Sequence, residues 1–596
     1  MKSLCLIPVC LLLLACRTAE AEPGSSHASI FGDRVMVFDE DMDQNAMQQT
    51  LDSLHSKQRR QEFSDERFAL LFKPGTYDLD ITVDFYVEAM GLGQTPDETV
   101  INGAVQSVST SHENKVTTEF WRGASNFKVY PDTSAQWMFW AVSQAAPMRR
   151  MHIVGDINFD KLGWASGGVL ANSVVTGRAG LVSGQQWFMR NSDIGRWEGG
   201  AWNRVFIGVH GAPEDNWPAS PTTVIDKVPV IREKPFLVHD KTTGFSVFVP
   251  ALGRDISGVS WKEVEAGKLL SLEAFHIARP ESDDARTINE VLSSGLNLIL
   301  TPGIYELDEA LEVRNPDTII LGLGLPTLVP TRGNSALEVH DVEGVVIAGL
   351  MVDAGTTCSE VLVQIGSEGG SSDHADNPIS LHDLYCRVGG AIAGSAGTCL
   401  EIHADHVIGD HFWLWRADHG AGADWNINKS DHGLVVTGDD VTIYGLFNEH
   451  FQNYQTHWMG ERGRLYFYQS EIPYEPPSNE VWNDEGKPGY ASYKVAEGVN
   501  EHQAYGLGVY SFFRGEEAKM NNVRLENAIE APEKDGVVIS HISLFAGRLG
   551  GINHPLNGQG PATNAGSFNM YDGWKKPVNA KPPSPGTGRR RSIHTP

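Results

Sequence analysis

"FKPGTYDLD" occupies Phe72–Asp80, and "LTPGIYELD" occupies Leu300–Asp308. The echo extends in both directions. A helix-like stretch precedes each copy, Ala46–Leu51 in one case and Thr287–Leu292 in the other. Gly91-Leu92-Gly93 follows the first copy and Gly322-Leu323-Gly324 the second. Short apolar runs come next, Val100–Gly103 and Thr327–Pro330. Each half therefore reads as helix, strand, Pro-Gly-x-Tyr turn, strand, Gly-Leu-Gly turn, strand. A duplicated plan of this kind predicts two domains of like architecture, and 596 residues are too many for one core.

Downstream of each start the chain breaks into short strands, among them "GVVIAGLMVDA", "HVIGDHFWLWRADHG" and "GLVVTGDDVTIYGLFNEH". β-Branched and aromatic residues alternate with polar ones, and Gly, Asn or Asp punctuates. Strands recurring at roughly 20–25 residues predict a parallel β-helix, whose coils stack about 4.8 Å apart. The helix-like starts would cap the open ends. A β-sandwich or propeller would need a fixed blade signature. The boundaries read as an N-terminal β-helix over 28–211, a Pro- and charge-rich connector over 212–282, and a C-terminal β-helix over 283–573. A basic tail follows over 574–596, expected to be disordered.

The N-terminus reads as a targeting segment over 1–21, with Lys2 before the apolar run Leu4–Ala15. Leu13-Leu14-Ala15-Cys16 resembles a lipobox with Cys16 as the lipidated residue, and Ala19-Glu20-Ala21 resembles an ordinary cleavage site. Either exit predicts a secreted or envelope-anchored chain. Cys358, Cys386 and Cys399 remain, enough for one bridge or for buried thiols, in no zinc-like spacing. The net charge of −28 disfavours nucleic acid, anionic lipid and anionic polysaccharide, and favours a neutral partner. No cofactor or protein partner is expected, and the chain reads as a monomer.

Two carboxylates draw attention. Glu449 lies in "LFNEHFQNY" and Glu471 in "YFYQSEIPYEPPS", about one coil apart. Stacked on successive coils, such a pair splits its acidities, leaving one carboxyl protonated near neutrality to protonate a leaving oxygen. Gln144 and Ser166 stand at the same separation in the first half and can together hold a water. Trp415, Trp458, Tyr468, Tyr474 and Trp482 crowd the Glu471 region, and sugar rings stack on such faces. Most tryptophans in a solenoid are nonetheless core.

"FWAVSQAAPMRR", "LILTPGIY", "LGLGLPTLVPT", "WLWRADHG", "GLFNEHFQNY" and "QSEIPYEPPS" resemble the bacterial branch of glycoside hydrolase family 55, over about Phe31–Asn569. The resemblance implies a β-1,3-glucanase of two tandem right-handed parallel β-helices with the site in the cleft between them. It implies Glu471 as general acid, Glu449, Gln144 and Ser166 as a water-positioning relay, and Trp415 and Tyr474 as pocket aromatics, with Trp458 added to the binding residues from its position. It implies exo-action from the non-reducing end with inversion, and no metal. Carboxyls on adjacent coils would lie near 5 Å, the retaining separation, whereas inversion usually needs roughly 6.5–9.5 Å. Glu475 is the rival acid. The alternatives are a polysaccharide lyase using Arg149, Arg150, Arg190 or Arg416, and a non-catalytic glycan-binding surface protein.

Overall fold

A computed structural model describes residues 30–108, 116–131, 137–160, 163–181, 184–370 and 372–574. The expected signal peptide, Cys16 and nearly all of the basic tail lie outside them. The repeated nonapeptide does the same work twice. In each half a first strand, Val35–Phe38 or Phe275–Ala278, pairs in parallel with the strand entering the Pro-Gly turn. The motif tyrosine reaches back under it. The Tyr77 hydroxyl lies 2.8 Å from the Lys73 carbonyl oxygen and 3.3 Å from that of Phe38. The Tyr305 hydroxyl lies 3.1 Å from the Thr301 carbonyl and 2.9 Å from that of Ala278. The motif glycines are set by close approach: a Cβ on Gly75 would come within 2.7 Å of Glu40, and one on Gly303 within 2.4 Å of Pro280.

The capping helices form as the repeat implies. Helix α1 (Gln44–Gln58) is capped by Asp43, whose carboxylate accepts from the Ala46 N–H, and α2 (Ala285–Ser293) by Asp284, which accepts from Thr287. Each covers the first coil with buried Met47, Leu51 and Leu54, or Ala285, Ile288 and Leu292.

The first half stacks a nine-stranded parallel sheet against an eight-stranded one around its own core. The second half stacks a thirteen-stranded and a ten-stranded sheet around a larger core. An antiparallel strand closes the C-terminal end of each second-half sheet. The first stack continues to Thr222–Ile225, and the second begins at Phe275–Ala278. The segment between them is therefore shorter than 212–282, and it carries two small antiparallel sheets. Coil length also varies more than the expected 20–25 residues.

The large second sheet contains β1 (Ser380–Val388), β2 (Ile408–Arg416), β3 (Thr442–Glu449), β4 (Gly463–Glu471), β5 (Glu501–Ser511), β6 (Gly536–Ala546) and β7 (Ser567–Trp574). Simple alternation fails along these strands. Asp383, His411, Gly445, Phe467, Gly506 and His541 form a column of left-handed residues with φ between 48° and 70°. Each reverses the facing of the residues after it. Asp410 and Trp413 thus both face the first half, while Phe412 lies in the core.

The two halves meet through a shared aromatic cluster that includes Phe120, Trp121, Phe188, Trp413, Trp415 and Phe447. Beside it lies a buried ionic network. Arg149 donates to Asp383 at 2.7 and 3.0 Å and to Asp410 at 2.7 Å. Arg190 bridges Asp410 and Glu233, and Lys234 bridges Asp383 and Glu88. Cys358, Cys386 and Cys399 are free thiols, the last two buried.

The tyrosine anchors give a direct test. Tyr77→Phe and Tyr305→Phe each leave buried carbonyls short of a donor and are expected to cost about 1–2 kcal/mol. The anchors lie in separate cores, so the double variant should show the sum in urea unfolding.

Candidate active site

Glu449 and Glu471 are the last residues of β3 and β4, and they pair directly across the sheet. The row continues in register, with Trp415 before Glu449 and Tyr510 and Phe545 after Glu471. Facing this row, Ala145 adopts φ 52° and turns the first-half chain into the strand Pro147–Arg149. That turn sends the preceding residue across the interface. Gln144 Nε2 donates to Glu449 Oε1 at 2.7 Å, and Trp413 Nε1 donates to Glu449 Oε2 at 2.9 Å. Both carboxylate oxygens are thus engaged by N–H donors, and the residue is 2% exposed.

Glu471 is 7% exposed and differently dressed. The Tyr474 hydroxyl donates to its Oε2, and Gln469 Nε2 donates to its Oε1 at 3.3 Å. Gln469 also helps to stabilise the charged form of Glu449, so one amide serves both acids. Burial pushes Glu449 up to about 7, although Trp413, Gln469 and Gln144 pull the other way. Burial, and then the Glu449 charge, push Glu471 well above the ordinary carboxyl range. A third negative group, Asp418, raises both. Burial opposes Asp418's charge, but a hydrogen bond to His419 and nearby positive charge hold it ionised. Burial would likewise lower His419, yet its bonds to Asp418 and to Glu62 of the first half hold it up at about 10.

Ser166 stands on the same wall as Gln144. Its N–H donates to Ser143 Oγ at 2.9 Å, and adjoining Gly167 leaves only 2.9 Å between a built Cβ and the Phe447 ring. Trp415 flanks Glu449 under a stacked Phe63, with ring centroids 6.4 Å apart. Tyr474 lies against His450 and Phe512. Trp458 does not belong to the site. It is fully buried inside the second stack, edge-on to His502 at 4.9 Å, because it lies on the opposite, ten-stranded sheet. Tyr468 and Trp482 are likewise buried in the core of that stack. Glu475, the rival acid, forms an ion pair with Arg416 at 3.0 Å. The arginines that a lyase would use as bases are likewise engaged, Arg149 and Arg190 in the interface network and Arg150 with Glu265.

Sequence reasoning missed Gln469, Trp413 and Asp418. Gln469 was within reach, because residues two apart share a strand face. Trp413 lies two before Trp415, and the same rule finds it.

The LAM55 pectate lyase-like domain family matches residues 275–471. A relative named exo-beta-1,3-glucanase, from Streptomyces sp. (strain SirexAA-E / ActE), is 42% identical over 538 residues, covering 89% of this chain and 87% of that one. The solved structure of sacteLam55A from Streptomyces sp. SirexAA-E aligns with a TM-score of 0.88 at 40% identity, over 91% of this chain and 98% of that one. A Glu-to-Ala variant of that protein, refined in complex with glucose, aligns equally well. Likeness at this identity over nearly the whole length makes the chain a member of glycoside hydrolase family 55, an enzyme acting on β-1,3-glucan.

Proposed function

We propose that this enzyme removes glucose from the non-reducing end of β-1,3-glucan with inversion at the anomeric carbon. Glu471 gives its proton to the glycosidic oxygen as the C–O bond breaks. A water attacks the anomeric carbon from the opposite face. Its proton passes to Glu449 through Gln144, whose amide oxygen receives one proton as its nitrogen releases another. The observation that carries this reading is the Gln144–Glu449 hydrogen bond beside a raised Glu471. Among the described residues the buried Gln144 Oε1 has no protein partner, and it is free to accept from a water. Ser166 stands beside it as the other candidate water ligand.

Inversion is favoured by what occupies Glu449. Stacked strands lie about 4.8 Å apart, which on spacing alone suits a covalent nucleophile. Yet Gln144 and Trp413 take both Glu449 oxygens, and a carboxylate so engaged is poorly placed to attack carbon. Exo-action is favoured by the lopsided row. Beyond Glu449 it is sealed: Phe63 covers Trp415, and Arg387 donates to Tyr86 of the first half at 2.6 Å. A chain end entering from the other side would stop at Trp415. Export through the apolar N-terminal stretch suits a polymeric substrate, and the Cys16 lipobox would tether the enzyme to the envelope.

Purified enzyme on laminari-oligosaccharides should release glucose from the start, with α-glucose the first anomer in proton NMR. Initial β-glucose would overturn inversion, and an early ladder of longer products would overturn exo-action. Glu471→Gln should lower kcat by about 10³-fold on oligosaccharides, within the range for a lost general acid, and by far less on aryl glucosides with good leaving groups.

The same variant carries a stability signature. The folded-state pKa of Glu471 lies above its ordinary 4.5. Its contribution is therefore fully present below pH 4.5 and drains away as pH rises toward the folded value. Glu471→Gln has no proton to lose. It should match the parent enzyme in urea unfolding at pH 4 and exceed it at pH 7.

A further inference from the structure

Behind the row that holds Glu449 and Glu471 runs another, two residues back along each strand and on the same face. It reads Trp413, Phe447, Gln469, Gly508 and Ser543 in register. Trp413 supplies a donor to Glu449, and Gln469 supplies one to Glu471 at 3.3 Å. Gly508 supplies no side chain, and the first half fills its place. A Cβ on Gly508 would lie 2.1 Å from Gln186 Oε1 and 2.8 Å from Asn203 Nδ2. Gln186 and Asn203 pair across the first-half sheet. Both are fully buried, as are Gln469 and Ser543.

The amides of this cluster have one sense. Asn203 Nδ2 donates to Gln186 Oε1 at 2.9 Å, to the Gly506 carbonyl oxygen at 3.2 Å and to that of Tyr468 at 3.4 Å. Three oxygens around one nitrogen fix the Asn203 orientation. They also leave Gln186 with its oxygen toward Asn203 and its Nε2 turned away. Gln469 is oriented from the other end, because only its N–H group suits a carboxylate, so its Oε1 faces back. Among the described residues neither Gln186 Nε2 nor Gln469 Oε1 has a protein partner. One is a buried donor and the other a buried acceptor, in neighbouring places of the same row. Leaving both unpaired is unfavourable, and one water between them satisfies both. Asn203 Oδ1 and the Ser543 hydroxyl form a like pair of unpartnered groups at the far end.

We propose that Gln186 and Asn203 of the first half are positioning residues for the catalytic acid, acting through a buried water and Gln469. Every donor in this chain points the same way: Asn203 to Gln186, Gln186 through the water to Gln469, and Gln469 to Glu471. Dipoles aligned in this manner reinforce one another. The chain holds Gln469 as a donor. A flipped amide would turn its oxygen to Glu471 and draw the acid's proton into a hydrogen bond, away from the leaving oxygen. Gln144 reaches Glu449 directly, and Gln186 reaches Glu471 at second hand, so the first half steers both carboxyls. The proposal rests on Glu471 being the acid that protonates the linkage.

The test compares the parent enzyme with Gln186→Met, which keeps the length of the side chain and removes its N–H. On laminari-oligosaccharides kcat should fall roughly 5- to 10-fold while KM holds. Gln186→Glu restores the chain only while the introduced carboxyl is protonated, because its O–H then replaces the N–H. Its kcat relative to the parent should therefore rise as pH is lowered, whereas the Gln186→Met ratio stays level. A merely structural defect gives no such contrast. High-resolution crystals of the parent should show one water within about 3.2 Å of both Gln186 Nε2 and Gln469 Oε1, and Gln186→Met should lose it. No such water in the parent, or an unchanged kcat in Gln186→Met, overturns the proposal, and the first of these is read without any variant. Failure of the acid assignment looks different. Glu471→Gln would then keep near-normal turnover, while the water and its loss would still decide the chain.

Discussion

The site exists because two buried aspartates on one coil stack are neutralised by arginines from the other. Asp383 and Asp410 are essentially inaccessible to solvent, and Arg149 and Arg190 supply their countercharge across the interface. Withdrawing either half would leave uncompensated charge in a desolvated place, which typically costs several kcal/mol. The halves are therefore held in one register, not merely adhered by apolar contact. Arg149 ends the strand that starts three residues after Gln144. The clamp that fixes Arg149 thereby fixes the Gln144 amide to within hydrogen-bond distance of Glu449.

Within that frame two residues of identical chemistry, both raised by burial, are balanced differently. Glu449 and Glu471 sit side by side on one face, both buried. N–H donors on both oxygens favour the charged form of Glu449, whereas Glu471 receives one hydroxyl and one weak amide contact and faces its neighbour's charge. Asp418 adds a second negative charge that is itself pinned by His419. The division of labour arises from the donors around each carboxyl rather than from the carboxyls themselves.

Much of this was legible in the chain. The doubled Pro-Gly-x-Tyr segment revealed two solenoids, since its tyrosine and glycine have the same structural task in both. The Glu449–Glu471 spacing revealed a stacked pair, because register follows coil length. Trp458 misled, because sequence proximity to Glu471 says nothing about which sheet of a coil a residue occupies. Facing along the strands was also hidden. Asp383, His411, Phe467 and His541 adopt left-handed conformations that favour glycine, so in those strands no glycine marks where the alternation reverses, as Gly445 and Gly506 do in two others. Gln469 lay in plain view two residues before Glu471, but a glutamine in a strand reads as ordinary until its carboxylate neighbours are placed.

Duplication explains why the cleft has two walls, but not why the first-half residue that meets Glu449 is an amide. A carboxylate on the first half in place of Gln144 would put like charges within hydrogen-bond distance in a site with little water, and one of them would have to stay protonated. An amide satisfies Glu449 without adding charge, and so works against the burial that raises Glu449 to about 7. The Glu449 charge in turn keeps the proton on Glu471. The same amide has an oxygen left over, buried and, among the described residues, without a protein donor, where a water can bind. In the proposed mechanism, an amide facing a pair of carboxyls would supply three conditions of hydrolysis together: a proton retained, a base available, and a place for the water between them.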